Sequence, residues 1–525
     1  MFEIIIKNGT IADGTGKPCY KADIGINNEK ITAINDLSKA KANHTINASG
    51  LTVSPGFIDT HAHSDGILLL DPQHANGIRQ GITTEILGQD GLSYAPLSSK
   101  NYLLYRKYLA GLLGEPPENL DMSNISTFRS HYHKKVAINT AYNVPHGAIR
   151  LEILGFHDRP LIGKFLEKAK RSIFEAIQAG AVGFSTGMSY YPNAWSNTAE
   201  LIELCKTTKE AGGVYVTHLR DVNTDRGFGG GGVPEALEIG RRSGVKVHFS
   251  HYRTYVHEAG QVKEKMSLID KAKTEGVDVT LELYPYPTAS SFPLRFLPSN
   301  WHEGGPDLIL KKLKTPKEYA SLIQYLETKE ESFSDAVFTY LPQNQHLEGM
   351  SIRDIAKKEN QSMSKILCNL LIDENLQVGY RGATTDSVKL WQQVSRDCVE
   401  LLSRPDYMVG SDAIPLGTIP HPRAYGTFPR FLGRLRRSYG NLSLEQMVQR
   451  MTDNPARRFG LTKRGQIKKD YFADLVIFNP DTLNDTATYD DPCQFPTGIP
   501  FVLVNGQIAV NNEKCTGILA GQAIP

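Results

Sequence analysis

The stretch Gly56-Phe57-Ile58-Asp59-Thr60-His61-Ala62-His63 decides the fold. An apolar run, Leu51–Ile58, leads into two histidines spaced by one residue. On a strand, residues i and i+2 share a face, so both imidazoles can reach one ion at the strand's C-terminal end. Two more histidines end apolar runs in the same way: His218 in Val214-Tyr-Val-Thr-His218 and His251 in Val247-His-Phe-Ser-His251. Asp412 ends Met408-Val-Gly-Ser-Asp412, and a carboxylate there is costly to bury without a cation or hydrogen-bond donors. His248, three residues before His251, faces elsewhere and reads as structural.

Around these residues strand and helix signals alternate. Strands are predicted at Leu51–Ile58, Ile82–Leu87, Val136–Val144, Val182–Thr186, Val214–His218, Val245–His251, Val277–Leu283 and Tyr407–Asp412. Helices are predicted at Leu161–Ala179, Thr198–Ala211, Pro234–Ser243 and Gln261–Glu275. Alternation alone fits either an open doubly wound sheet or a parallel barrel. Four histidines and an aspartate at the ends of strands one, five, six and eight converge only if the sheet closes. The expected fold is therefore α/β, a TIM-like (β/α)8 barrel with its site at the C-terminal strand ends.

Both termini read as short strands: Phe2–Ile6, Ile24–Ile26, Lys30–Ile34, Asp474–Phe478 and Phe501–Val504. Asn8-Gly9 and Asn505-Gly506 carry turn signals. One small β-sandwich domain built from residues 1–52 and 463–525 is expected, flanking a barrel over 53–462. Residues 285–405 are too long for a simple connection and predict a lid-like helical insertion, with helices at Leu308–Thr328 and Ser351–Asp373.

Composition narrows the function classes. The chain has 525 residues, 58 Lys+Arg against 56 Asp+Glu, and 40% hydrophobic residues, which excludes fibrous and wholly disordered proteins. A net charge of +2 argues against nucleic acid as a partner, and apolar runs are too short for a membrane span. No basic segment followed by an apolar core opens the chain, so no secretory leader is expected. The six cysteines form no CxxC pair, which fits a reduced, cytoplasmic setting. A homo-oligomer is compatible with this sequence.

Two other motifs compete. Gly227-Phe-Gly-Gly-Gly-Gly232 lacks the endings of a phosphate cradle and reads better as a mobile active-site loop. Gly183-Phe-Ser-Thr-Gly187 matches the G-x-S-x-G nucleophile elbow, but the elbow accounts for one residue and the metal-capable set for five or six.

The pattern resembles the amidohydrolase superfamily, and within it the D-aminoacylase (N-acyl-D-amino-acid deacylase) family. The matching segments are Pro55–Asp65, Gly183–Gly187, Thr217-His-Leu-Arg220, Tyr284-Pro-Tyr286, Gly410-Ser-Asp412 and His421–Arg430, with Asn454–Gly460 and Tyr471–Val476 towards the C-terminus. The resemblance implies one or two zinc ions, with Asp90, His218 and His251 around the tighter one. His61, His63 and Asp412 would shape a second position. Many amidohydrolases bridge two metals with a carboxylated lysine on strand four; here that strand ends at Ser185-Thr-Gly187 without one. The D-aminoacylase family usually has a cysteine after strand two, and in Leu87-Gly-Gln-Asp-Gly91 this chain has Asp90 instead. A carboxylate can bridge as a thiolate does, but is a harder ligand. Asp-Gly is also a common turn dipeptide.

The implied reaction is hydrolysis of an N-acyl amino acid, with Asp412 as general base and then general acid. Arg253, Tyr284, Ser290 and Arg423 would hold the substrate carboxylate, and Tyr190 or Tyr191 would line the side-chain pocket. Arg253 stands where the family often has lysine. Cyclic-amide hydrolysis and a non-catalytic scaffold are the alternatives; the missing strand-four lysine disfavours the first, and the full ligand set the second.

Overall fold

The computed structural model describes residues 1–525. Eight parallel strands form the central sheet: Phe57–Asp59, Ile82–Leu87, Asn139–Pro145, Gly183–Gly187, Val214–His218, Lys246–Phe249, Val279–Leu283 and Tyr407–Val409. The first and last of these meet just beyond their ends. Thr60 N donates to Val409 O (3.3 Å), Asp412 N to His61 O (2.7 Å) and His63 N to Ala413 O (2.9 Å). The barrel is thus closed by the same residues that carry the polar side chains. Its lower end is plugged by apolar side chains, with Ile58, Ile86, Val216 and Met408 packed against Phe459, Leu461 and Ile524. Arg458, from the Asn454–Gly460 segment, donates to Val247 O and pairs with Asp278 (2.6 Å), tying that plug to strands six and seven.

The predicted strand Leu51–Ile58 is two strands. Thr52–Pro55 joins a second sheet, and only Phe57–Asp59 belongs to the barrel. Gly56 sits between them because a Cβ there would lie 2.2 Å from Thr83 Oγ1. The second sheet has nine strands drawn from residues 2–55 and 475–515. Strand Phe2–Ile11 pairs with Ala42–Asn47 through its first half and with Thr52–Pro55 through its end. Asn8-Gly9 is therefore no turn but a bulge inside this strand, with Asn8 left-handed (φ 64°) and the register to Tyr20–Asn27 shifted. A bulge bends a strand, and here it lets one strand serve two neighbours. Asn505-Gly506 does form the expected hairpin turn, with both residues at positive φ between Phe501–Val504 and Gln507–Asn511.

Residues 285–405 carry the expected helices, each broken in two. Leu308–Thr328 divides into Pro306–Leu313 and Pro316–Glu327, because Pro316 cannot continue a helix. Ser351–Asp373 divides into Ile352–Glu359 and Met363–Asp373, with Asn360 left-handed between them. Two features were not expected. Ser290–Ser291, Gly379–Gly382 and Ala336–Tyr340 form a small antiparallel sheet. Helix Val388–Ser403 packs on Val262–Thr274 and strand eight as part of the barrel's own outer layer, so the excursion ends before it. No helix is long and apolar enough to cross a membrane.

Candidate metal centre and active site

All six residues expected to hold metal converge at the barrel's C-terminal mouth. His61 Nε2 lies 3.6 Å from Asp90 Oδ1 and 3.5 Å from Asp412 Oδ1. His63 Nε2 lies 3.5 Å from Asp90 Oδ2 and 3.3 Å from Asp412 Oδ1. His218 Nδ1 is 3.5 Å from Asp90 Oδ2, and His251 Nε2 is 4.0 Å from the same oxygen. Two groups have ligand atoms all within 4.8 Å of one another: His61, Asp90, His251 and His61, His63, Asp412. His61 belongs to both, and one imidazole nitrogen has one lone pair, so its Nε2 serves one ion at a time.

Backbone strain marks this ring. Asp90 (φ 54°), His251 (φ 37°) and Asp412 (φ 54°) are all left-handed. Such conformations cost about 1–3 kcal/mol each in non-glycine residues and persist where the surroundings over-determine them. Asp90 is set by Gly88 and Gly91, also at positive φ, and by strand four. Gly91 N donates to Ser185 Oγ (3.1 Å), and Ser185 Oγ in turn donates to Gly88 O. A Cβ on Gly187 would sit 2.0 Å from Asp90 O. The Asp90 loop thus occupies the end of strand four, where a bridging lysine would otherwise project. It also accounts for the G-x-S-x-G match: Ser185 is buried in the strand as a clamp for that loop and is no exposed nucleophile.

The charges are poised for a cation. Burial opposes a charged ring at His61, yet Glu282, Asp90 and Asp412 push it up to about 10. Burial also works against ionised Asp412, but Arg423 and His61 hold its carboxyl well below the usual range. Burial and the His218 ring push His251 down to about 3, so its lone pair is free. Asp90 Oδ1 is buried without a hydrogen-bond partner. Carboxylate oxygens and imidazole nitrogens gathered around such an orphaned atom suit zinc, whose ligands are commonly nitrogen, sulfur and carboxylate oxygen.

A cavity of about 620 Å³ opens over this ring. His63, Asp90, His218, His251 and Asp412 line its floor, and Tyr190, Arg253, Tyr284 and Ser290 its walls. Arg253 is fully buried with no acidic partner: its guanidinium donates to Tyr284 Oη (3.2 Å), Thr288 O (3.1 Å) and Thr254 O (3.1 Å). Tyr190 stacks on Phe292 and reaches Ser291 with its hydroxyl (3.1 Å). The Ser290 hydroxyl is engaged with Tyr380 O (2.9 Å).

Two expected pocket residues are elsewhere. Tyr191 does not line the cavity: it stacks on His302 (4.1 Å) and packs at a tilt against Trp195, because adjacent residues of the turn after strand four point opposite ways. Arg423 has no exposed surface; it pairs with Asp412 Oδ2 (2.8 Å) and donates to Ser290 O (3.3 Å) from behind the wall.

The sequence reading missed three groups. Arg295 lines the cavity and pairs with Asp221 (2.8 Å), a contact that spans the insertion and the barrel. Ser189 joins His218 Nε2 (2.8 Å) to Asp221 (2.5 Å). Glu282 is fully buried beneath the ring, against His61 Nδ1 (2.5 Å) and His248 Nε2 (3.1 Å). An acidic residue inside Val279-Thr-Leu-Glu-Leu283 was the available signal for Glu282; nothing local distinguished Arg295 or Ser189. The Gly227–Gly232 run packs against Arg220, whose Cδ would be 2.8 Å from a Cβ on Gly231, and brings Gly232 to the cavity edge.

Comparison with known proteins gives concordant matches. A family model described as "Amidohydrolase family" matches residues 44–202 and 385–510. A D-aminoacylase of Alcaligenes xylosoxydans xylosoxydans is 31% identical over 534 residues, spanning 100% of this chain and 97% of that protein. An N-acyl-D-glutamate deacylase of the same organism is 31% identical, spanning 96% of this chain and 93% of its own length. Among solved structures, an N-acyl-D-glutamate deacylase from Bordetella bronchiseptica, complexed with zinc and a phosphonate mimic of the tetrahedral intermediate, superposes with a TM-score of 0.82. It is 31% identical and covers 100% of this chain and 99% of that one.

Proposed function

The chain belongs to the amidohydrolase family, on its D-aminoacylase branch, and from that premise we propose that it is a zinc-dependent hydrolase of N-acyl-D-amino acids, releasing a carboxylate and a free D-amino acid. One observation carries the substrate class. Arg253 is a buried guanidinium on the cavity wall with no counter-charge, a costly arrangement unless the ligand is an anion. The free carboxylate of an N-acyl amino acid meets that need, and the planar guanidinium matches it with a two-pronged contact. Arg295 adds a second cation to the same cavity.

His61, His63, Asp90, His218, His251 and Asp412 would hold the zinc. When bound, zinc polarises the acyl carbonyl and lowers the pKa of an attacking water to near 7. Asp412 accepts the proton of that water. Arg423 beside it keeps the carboxylate ionised and makes its conjugate acid strong, so the proton passes readily to the departing amine nitrogen. An amine leaves poorly until protonated, so both transfers are required. Arg253, helped by Tyr284, anchors the α-carboxylate and so places the acyl carbon over Asp412. Tyr190 borders the substrate side chain. All six cysteines are unpaired, which accords with a reducing, cytoplasmic location.

A panel of N-acetyl-D-amino acids, their L-enantiomers and cyclic imides, with zinc quantified on the same sample, tests this reading. Release of free D-amino acids is expected. Turnover of cyclic imides with none of any linear N-acyl amino acid would overturn it.

A further inference from the structure

Beneath the ligand ring lies a carboxylate that the mechanism does not use. Glu282, from strand seven, accepts the hydroxyl proton of Thr60, contacts His61 Nδ1 (2.5 Å) and His248 Nε2 (3.1 Å), and accepts from His251 N (3.4 Å). Those partners lie on or just after strands one and six; His61 and His251 are proposed zinc ligands, and Thr60 directly precedes one. Thr60, His61, His248 and Glu282 are all fully buried. The room for the carboxylate is provided by strand eight: a Cβ on Gly410 would stand 2.6 Å from Glu282 Oε2 and 2.8 Å from His61 Cβ. A buried ionised carboxylate is tolerated only when fully hydrogen-bonded, and Glu282 has donors for both oxygens.

We propose that Glu282 is the positioning residue of the metal centre, fixing His61 as the tautomer with Nδ1 protonated so that Nε2 presents its lone pair to the ion. His61 is shared by both candidate ligand groups, so the carboxylate behind it governs whichever of them holds the ion. The bond leaves His61 one orientation, and its negative charge makes Nε2 a stronger donor. The contact of Glu282 with His251 N ties the His251 backbone to the same carboxylate, so one side chain sets ligands from two sides of the barrel. The role of His248, structural by its place in the strand, is to satisfy the second oxygen. Its Nδ1 is held in turn by Thr280 Oγ1 (2.8 Å).

This rests on the metal-centre reading above, and the test separates the two. Cobalt(II) is titrated into the apoprotein against a competing chelator, and its visible spectrum is recorded, with no substrate present. Failure of the unsubstituted protein to bind cobalt would count against the metal centre itself. If it binds, Glu282→Gln is expected to weaken affinity by about 10–100-fold and to alter the cobalt spectrum, with far-ultraviolet circular dichroism unchanged. Thr60→Val, which removes one donor to Glu282 and leaves the carboxylate in place, is expected to give a smaller loss of the same sign. It decides alone should Glu282→Gln not fold. Unsubstituted affinity and spectrum in either folded variant overturn the proposal.

Discussion

Asp412 faces two ways: one oxygen looks onto His61 and His63, the other onto Arg423. Asp412→Asn keeps the shape and loses the proton acceptor. Turnover is expected to fall by roughly 10²–10⁴-fold while bound zinc, measured by atomic absorption, is largely retained. Equal turnover would remove Asp412 from proton transfer. Arg253 acts earlier, on binding. Arg253→Ala deletes a charge-assisted contact of about 1.5–3 kcal/mol, so KM should rise on the order of 10–100-fold, with a smaller change in kcat. Arg253→Lys restores the charge but not the planar fork and should recover only part of the loss. Strand geometry dictates direction at His61 and His63, whose rings both turn to Asp412 as their i, i+2 spacing predicts. At Tyr191 and Arg423 neither side chain lines the cavity, because the direction is set by a turn and by a partner distant in the chain.

At the level of elements, the insertion is seated on the barrel through His302. Its ring accepts from Tyr108 Oη (2.8 Å) and stacks on Tyr191. Burial pushes His302 down to about 3, below its value of about 6.5 in an unfolded chain. The unfolded state therefore binds the extra proton. The stability this ring contributes is present above about pH 6.5 and is lost as pH falls towards 3, by up to about 1.4 kcal/mol per pH unit. His302→Gln should flatten the fall in melting temperature between pH 7 and pH 4 relative to the unsubstituted protein; parallel curves would rule out His302 as the source. The junction at Gly56 is the second element-scale test. Gly56→Ala forces a Cβ into Thr83 and should destabilise by about 1–3 kcal/mol, read as a lower denaturation midpoint. A midpoint equal to that of the unsubstituted chain would mean that Thr83 moves aside freely.

The whole barrel is joined at its mouth by the site. The proposed ligands come from five places around the ring, after strands one, two, five, six and eight, and strands one and eight close the barrel through His61 and Asp412 backbone hydrogen bonds. A bound ion should therefore stabilise the global fold. At 1,000 times its Kd a ligand adds about 4 kcal/mol. Chelation should lower the melting temperature, and zinc should restore it; a melting temperature indifferent to both would show that the ion is not coupled to barrel closure.

What could be read along the chain was what local periodicity encodes. Apolar runs ending in His61, His218, His251 and Asp412 specify parallel strands and place metal-capable groups at one end of each, because a strand alternates its faces whatever surrounds it. The Asn505-Gly506 hairpin was legible for a different local reason, the ease with which Asn-Gly adopts positive φ at both positions. The tertiary structure decided whatever depends on long-range contact: the break at Gly56, forced by Thr83; the bulge at Asn8-Gly9, forced by two neighbours for one strand; and the Asp90 loop, clamped by Ser185. It also decided the surroundings of each charge. Arg253 without an acid, Arg423 with Asp412, and Glu282 beneath two histidines follow from which side chains the closed barrel brings within a few ångströms, a quantity that no spacing in the sequence contains.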